Sequence, residues 1–296
     1  MLSADFAAPQ QGGRSTARAK IASIMLQVRR GEIDIMKLKA AAIQMDCELR
    51  NIQANLAKAE SLVDQACAEG ATLVALPELF STGYRLEQEY YKYAESIPGP
   101  TTDFMGALAR RHGAYLAGSI IEEGKVRAVP YNTAVLVGPE GLIGKQAKIA
   151  LYDKEKLYFA PGDTATPFDT PLGRIGLMIC RDIRYGEIAR ALALKGAEIL
   201  VLTSAAGALD VTTQARAVDN SVYLVASNRI GHEEDWPFCG DSRIIDPFGR
   251  VVVEAGKAEG YAIAEIDSDL IVEARVRRGY LRDYRPAVFL NPSFYR

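Results

Sequence analysis

From Lys37 onward, apolar positions follow two rhythms that alternate along the chain. The stretch KLKAAAIQM reads as a strand. Asn51 then opens a run from Ile52 to Glu69 with Leu56, Ala59, Leu62, Val63 and Ala66 at helical spacing, closed by Gly70. TLVALP follows as a buried strand. The same unit returns as the helix EIARALALK, Gly196 and the strand EILVLTSA, which hints at an internal repeat. A third helix-to-strand unit runs from ARAVDN into SVYLVASN. AYLAGSII, YNTAVLVGPEGLIGK, RIGLMIC, DSRIIDPFGRVVVEA and GYAIAEID read as further strands, with hairpins around Pro139–Gly141 and Pro247–Gly249. Helices and strands alternate with no linker, which predicts one α/β domain with helices covering its sheets. Alternation alone leaves open a Rossmann-type sheet or a sandwich of two sheets between helix layers.

Residues 1–35 break this pattern. They are small, polar and basic at first, then carry a short apolar stretch from Ile21 to Val28. This reads as an N-terminal extension, flexible or loosely docked, ahead of a domain spanning 36–296. It makes a poor signal peptide, because no small-residue cleavage site follows the apolar part.

Composition narrows the classes. Of 296 residues, 49% are apolar and 24% charged, enough apolar material for a large core. A net charge of −2 gives no basic footprint for nucleic acid. No apolar run is long enough to span a membrane. The four cysteines are widely spaced, which fits neither a zinc site nor a disulfide framework and suits a reducing cytoplasm. No metal or organic cofactor is expected.

Cys180 is the first candidate for chemistry. It ends an apolar strand and is followed by Arg181, Asp182 and Arg184, with a helix starting near Tyr185. A thiol at a strand end, before a helix and beside cations, is placed to ionise. The competing reading is a small buried hydrophobe, which is what most free cysteines are. A nucleophilic cysteine needs a base, and the histidines offer little. His112 sits at a helix end beside Arg110 and Arg111, and His232 lies in an acidic loop with Glu233, Glu234 and Asp235; both read as solvated. Glu78, just past TLVALP, stands where α/β sheets place their ligands. Lys148 follows a strand in GLIGKQAKIALYDKEKLYFAPGD. Each signal is weak when taken singly.

Together, LPELFSTGY, GKQAKIALYDKEKLYFAPGD and GLMICRDIRYGEIARALALKGAEILV, in that order, resemble the nitrilase superfamily of carbon–nitrogen hydrolases. AAIQMD, YNTAVLVGPEG, ARAVDNSVYLVASNRIG, GDSRIIDPFGRVV and RDYRPAVF support the likeness, which runs from about Met36 to about Tyr295. The resemblance implies an αββα four-layer sandwich that assembles as a homodimer or larger homo-oligomer. It implies Glu78 as base, Lys148 as cation, Cys180 as nucleophile and Glu155 as a second glutamate. Arg181, through its backbone N–H, and Tyr84 are candidates for the oxyanion and substrate. Two departures stand out. Gln146 and Ala147 precede the lysine where the family commonly has Tyr-Arg, and Ala150 sits where a histidine often lies. Arg181 follows the cysteine where true nitrilases have Trp-Glu, which favours a small linear amide or N-carbamoyl amine over a nitrile as substrate. A non-catalytic scaffold and an acyltransferase are the other readings.

Three further expectations concern placement. If Arg181, Arg184 or Arg229 reaches the pocket, a substrate carboxylate is expected; otherwise these arginines should pair with Asp182, Glu187 and Asp219. The helix Glu187–Lys195, apolar on most of its circumference, should pack one stripe on the sheet and offer another, with Leu192 and Leu194, to a two-fold partner. The alternative is that LRDYRPAVFLNPSFYR covers it within one chain.

Overall fold

The computed structural model describes residues 37–291 and Ser293; the extension 1–35 lies outside the described residues. The chain starts with β1 (Lys37–Gln44), α1 (Ile52–Ala68) and β2 (Ala71–Ala75), then α2 (Pro100–His112) and β3 (Tyr115–Glu122). The hairpin β4 (Tyr131–Gly138) and β5 (Gly141–Ala147) follows, then a single helical turn α3 (Glu155–Tyr158). The second half runs β6 (Phe168–Thr170), β7 (Gly173–Ile179), α4 (Gly186–Leu194), β8 (Ile199–Ser204), α5 (Val211–Asn220) and β9 (Tyr223–Asn228). It ends with β10 (Ile230–Glu233), β11 (Trp236–Cys239), β12 (Arg243–Ile245), β13 (Val251–Glu254), β14 (Gly260–Asp267), α6 (Ser268–Arg278) and α7 (Pro286–Phe289).

Two six-stranded sheets form, in the orders β14-β1-β2-β3-β4-β5 and β13-β12-β9-β8-β7-β6. In each, three adjacent strands are parallel (β1-β2-β3 and β7-β8-β9) and the flanking pairs are antiparallel. The repeat read from the sequence is therefore structural. Gly70 and Gly196 occupy matching places, both at φ +95, where a helix turns back into a parallel strand and a side chain would be strained.

The strands read as continuous apolar runs because both faces are buried. One face of each sheet meets the other sheet, in a core that includes Leu73, Leu136, Ile175, Ile179, Val201 and Val225. The outer face of the first sheet packs on α1 and α2 through Val63, Met105 and Leu108. That of the second packs on α4 and α5 through Ile188, Leu192 and Ala217. The order of layers is helix, sheet, sheet, helix, which excludes the single Rossmann-type sheet. Among the described residues, no helix is long and apolar enough to cross a membrane.

The helix after Cys180 starts at Gly186, close to where it was read, after a 3-10 turn over Cys180–Arg184. Two sequence expectations need correction. Within α4, Leu192 is fully buried on its own sheet and only Leu194, at 41% exposure, is a free large apolar residue. The C-terminal segment does lie against this side, for the Arg190 guanidinium stands 5.4 Å from the Tyr284 ring centre and Leu281 packs with the α4 core; Phe294 and Tyr295 lie outside the described residues. Second, His112 is not merely solvated, because its Nε2 lies 2.6 Å from Asp64 Oδ1 and ties the end of α2 to α1. His232 is exposed, as read.

Candidate active site

The parallel strands β2, β7 and β8 bring their C-terminal ends to one place. Glu78 lies three residues beyond β2, and its N–H donates to the Ser204 carbonyl at the end of β8 (3.2 Å). Cys180 follows β7. Lys148 follows β5, and its own N–H donates to the Asn132 carbonyl on β4 (2.8 Å). Three strand ends and one hairpin thus fix three side chains that stand far apart in sequence.

Glu78 and Lys148 are fully buried and Glu155 nearly so. Lys148 Nζ donates to Glu78 Oε1 at 2.6 Å and to Glu155 Oε1 at 2.8 Å. Glu78 Oε1 also accepts from Asn132 Nδ2 (2.8 Å), and Oε2 accepts from Ala205 N (3.0 Å). Glu155 Oε2 accepts the Tyr152 N–H at 2.6 Å. Each charged atom has a partner, as a buried cluster requires.

Two carboxylates share one ammonium, and the electrostatics follow from that. Burial raises the Glu78 proton affinity most; Lys148 opposes it, Glu155 adds to it, and the net direction is upward. Burial alone would lower the affinity of Lys148, but Glu78 and Glu155 outweigh it and hold the ammonium well above an ordinary lysine. Desolvation pushes the Cys180 thiol up to about 12, helped by the charge of Glu78 and opposed by Lys148. The resting thiol is therefore protonated and must lose its proton to react. This replaces the expectation of a thiol ionised by flanking cations: burial sets its state first and the charge of Glu78 second, not Arg181 and Arg184.

Cys180 sits at φ +43, a conformation uncommon for a residue with a side chain, and so does Leu79, next to Glu78, at +49. What holds the Cys180 turn is Asp182, only 1% exposed. Its Oδ2 accepts from Ile179 N (3.0 Å), and its Oδ1 from Ile149 N (3.2 Å) and Ala150 N (2.7 Å). One carboxylate joins the turn of the thiol to the segment just past Lys148. Burial raises Asp182 to about 6, against the pull of these N–H groups. Asp182 was expected to pair with an arginine; backbone donors hold it instead. Ala150, where the family often has histidine, contributes its N–H.

Cys180 is half-buried on the floor of a cavity of about 220 Å³. Tyr84, Tyr152 and Trp236 form an aromatic side, the loop Ser204–Leu209 the opposite wall, and Arg181 with Arg184 the polar part. The Arg181 guanidinium stacks over Tyr152 at 5.2 Å from the ring centre and, among the described residues, forms no ion pair. Arg184 pairs with Asp210 (2.5 Å), not Glu187. Arg229 does not reach the cavity. It is fully buried, paired with Glu233 and with Asp46 (3.2 Å), not with Asp219.

Glu233 is the main residue the sequence reading misplaced. Read only as part of the acidic loop around His232, it is 4% exposed and accepts the N–H groups of Tyr84 (2.9 Å) and Arg85 (2.7 Å). It joins the β10–β11 hairpin, which carries Trp236, to the loop that presents Tyr84. Asn132, Asp182, Ser204 and Trp236 were also missed as site residues. Asp182 alone gave a signal, as an acidic residue two positions past the thiol at a helix start.

The sequence model of the carbon-nitrogen hydrolases matches residues 39–276. The chain belongs to the carbon–nitrogen hydrolase family. Its relatives within the family include a nitrilase of Pyrococcus abyssi, 41% identical over 251 residues, covering 81% of this chain and 93% of the relative. An omega-amidase of Xenopus laevis is 37% identical over 256 residues, covering 77% and 90%. Among solved structures, a carbon-nitrogen hydrolase of Helicobacter pylori G27 superposes with a TM-score of 0.79 at 29% identity, covering 86% of this chain and 97% of that one. The four-layer sandwich is thus the fold of the family, and the carbon–nitrogen hydrolase motifs quoted from the sequence fall on the strand ends that form the cluster.

Proposed function

We propose that this carbon–nitrogen hydrolase cleaves a small linear amide through a thioester on Cys180, releasing ammonia. The observation that carries the reading is the buried Glu78–Lys148–Glu155 cluster together with the Cys180 thiol, which lines a cavity of about 220 Å³. Glu78 takes the thiol proton as sulfur attacks the carbonyl carbon; the carbon–oxygen π pair moves to oxygen. Lys148 and the Arg181 N–H, at the start of a helical turn where such groups lack a helical acceptor, hold that oxyanion. The tetrahedral centre collapses, Glu78 gives its proton to the leaving nitrogen, and ammonia departs. Water then attacks the thioester, Glu78 takes the water proton, and the acid leaves as the thiol regains a proton. Glu155 holds Lys148 and touches no reacting atom.

Arg181 refines the substrate. A guanidinium with no ion pair among the described residues, in the cavity of the nucleophile, fits a carboxylate at the end remote from the amide. A relative that carries the name omega-amidase agrees with this reading; a relative named nitrilase keeps the nitrile as the second candidate. We place the enzyme in the cytoplasm, where its four free thiols are stable, and as a homodimer or larger, joined at the α4 side. Paired assays of an amide bearing a terminal carboxylate, its N-carbamoyl counterpart and the matching nitrile test the assignment. The amide should be turned over fastest, and Cys180→Ala should abolish turnover with the fold intact. Faster turnover of the nitrile would overturn the amidase reading.

A further inference from the structure

We propose that Ser204 is a catalytic residue whose hydroxyl donates a hydrogen bond to the Cys180 sulfur as that sulfur becomes a thiolate. The inference rests on Cys180 being the nucleophile, as proposed above. β7 and β8 pair in parallel with Ile179 beside Thr203; the next residues are Cys180, the first past the end of β7, and Ser204, the last of β8. Both line the same cavity. Ser204 is 1% exposed, and its backbone is fixed, since its carbonyl accepts from Glu78 N (3.2 Å) and Arg229 N (3.0 Å).

The hydroxyl itself is unsatisfied. Ser204 Oγ is buried and, among the described residues, has no partner in full hydrogen-bond geometry at rest, standing only near enough to the Cys180 sulfur to act on it. Native proteins rarely leave such a donor idle without a reason. The Glu78 carboxylate beside it is already engaged by Lys148, Asn132 and the Ala205 N–H. The group left for the hydroxyl is the thiol, and Ser204 lowers the proton affinity of that sulfur. A neutral thiol is a weak acceptor, whereas a thiolate receives a charge-assisted bond. The contact therefore gains strength as charge develops on sulfur, which is the condition for speeding the step rather than merely holding the ground state. Ser204 keeps its own proton throughout; the thiol proton still goes to Glu78.

Iodoacetamide alkylation tests this without a substrate, with the adduct assigned by peptide mass spectrometry. In Ser204→Ala, alkylation of Cys180 at neutral pH should slow about tenfold, and its pH profile should move to higher pH. The melting temperature should stay level or rise, because an unsatisfied buried donor has been removed. Ser204→Thr, which keeps a hydroxyl, should return the profile to that of the parent. A Ser204→Ala profile that superimposes on the parent overturns the proposal. So does a fall of several degrees in melting temperature alongside the slower reaction, since the role is then structural. If Cys180 of the parent is labelled no faster than the other three cysteines, the nucleophile assignment fails first and takes this proposal with it.

Discussion

Replacing Lys148 by methionine removes the one cation that lets two carboxylates share a buried site. Lys148 Nζ contacts both Glu78 and Glu155 within 2.8 Å, and all three side chains are almost wholly out of water. Taking one partner from a buried pair costs about 3–5 kcal/mol, chiefly because the remaining charge is left uncompensated. Here two charges are left, facing each other, so Lys148→Met should lie at or beyond the upper end of that range. The pH dependence has a definite sign. Glu78, whose proton affinity is already raised, loses in the variant the cation that opposes this, so the destabilisation is full at neutral pH and relaxes as pH falls and Glu78 becomes protonated. The variant should be more resistant to urea at pH 5 than at pH 8. Turnover should drop by at least about a hundredfold, the usual effect of losing an oxyanion donor, and acid should not restore it. Urea unfolding followed by circular dichroism at several pH values, with steady-state assays on the same samples, measures both. A Lys148→Met enzyme that unfolds like the parent at pH 8 refutes the shared-cation reasoning.

Other consequences are as specific. Because the proton affinity of Glu78 is raised and its ionised form is the base, the acid limb of kcat/KM should lie above the ordinary glutamate value of 4.5. Glu155→Gln removes a charge that raises Glu78, so this limb should move to lower pH; a shift upward in the profile contradicts the assignment. Arg181→Gln should raise KM about tenfold or more for an amide ending in a carboxylate and leave its neutral analogue unchanged, with equal effects on the two substrates counting against a carboxylate site. Leu194→Glu, at the exposed edge of α4, should lower oligomer mass and activity together without lowering the melting temperature of the separated protomer. Light scattering that finds the parent to be an active monomer would sink that idea and leave the chemistry untouched.

What could be read from the sequence divides along physical lines. β1, α1 and the helix–glycine–strand repeat were legible because periodicity, the Asn51 cap and glycines at positive φ are local signals. The hairpin at Pro139–Gly141 was legible for the same reason. Glu78, Lys148, Glu155 and Cys180 were legible as a set only through the order of the family motifs; singly, a strand-end carboxylate or lysine looks like any solvated residue. Glu233 and Arg229 were misjudged because their burial depends on each other and on Asp46, which lies 183 residues before Arg229 along the chain. Leu192 and Leu194 could not be separated by composition, since only the rotation of α4 on its sheet decides which is covered. Ser204 and Trp236 gave no signal, because lining a cavity is a property of three strand ends meeting.

The most direct test of the central claim is to trap the acyl-enzyme. The parent enzyme, mixed with a slowly hydrolysed amide and quenched in acid, is digested and mapped by mass spectrometry. A Cys180 peptide heavier by the substrate less one ammonia, absent in Cys180→Ala and depleted when the quench is delayed until the substrate is exhausted, is the predicted result. Turnover that continues with no adduct on any cysteine, or with an adduct on Cys47, Cys67 or Cys239 instead, would contradict the account.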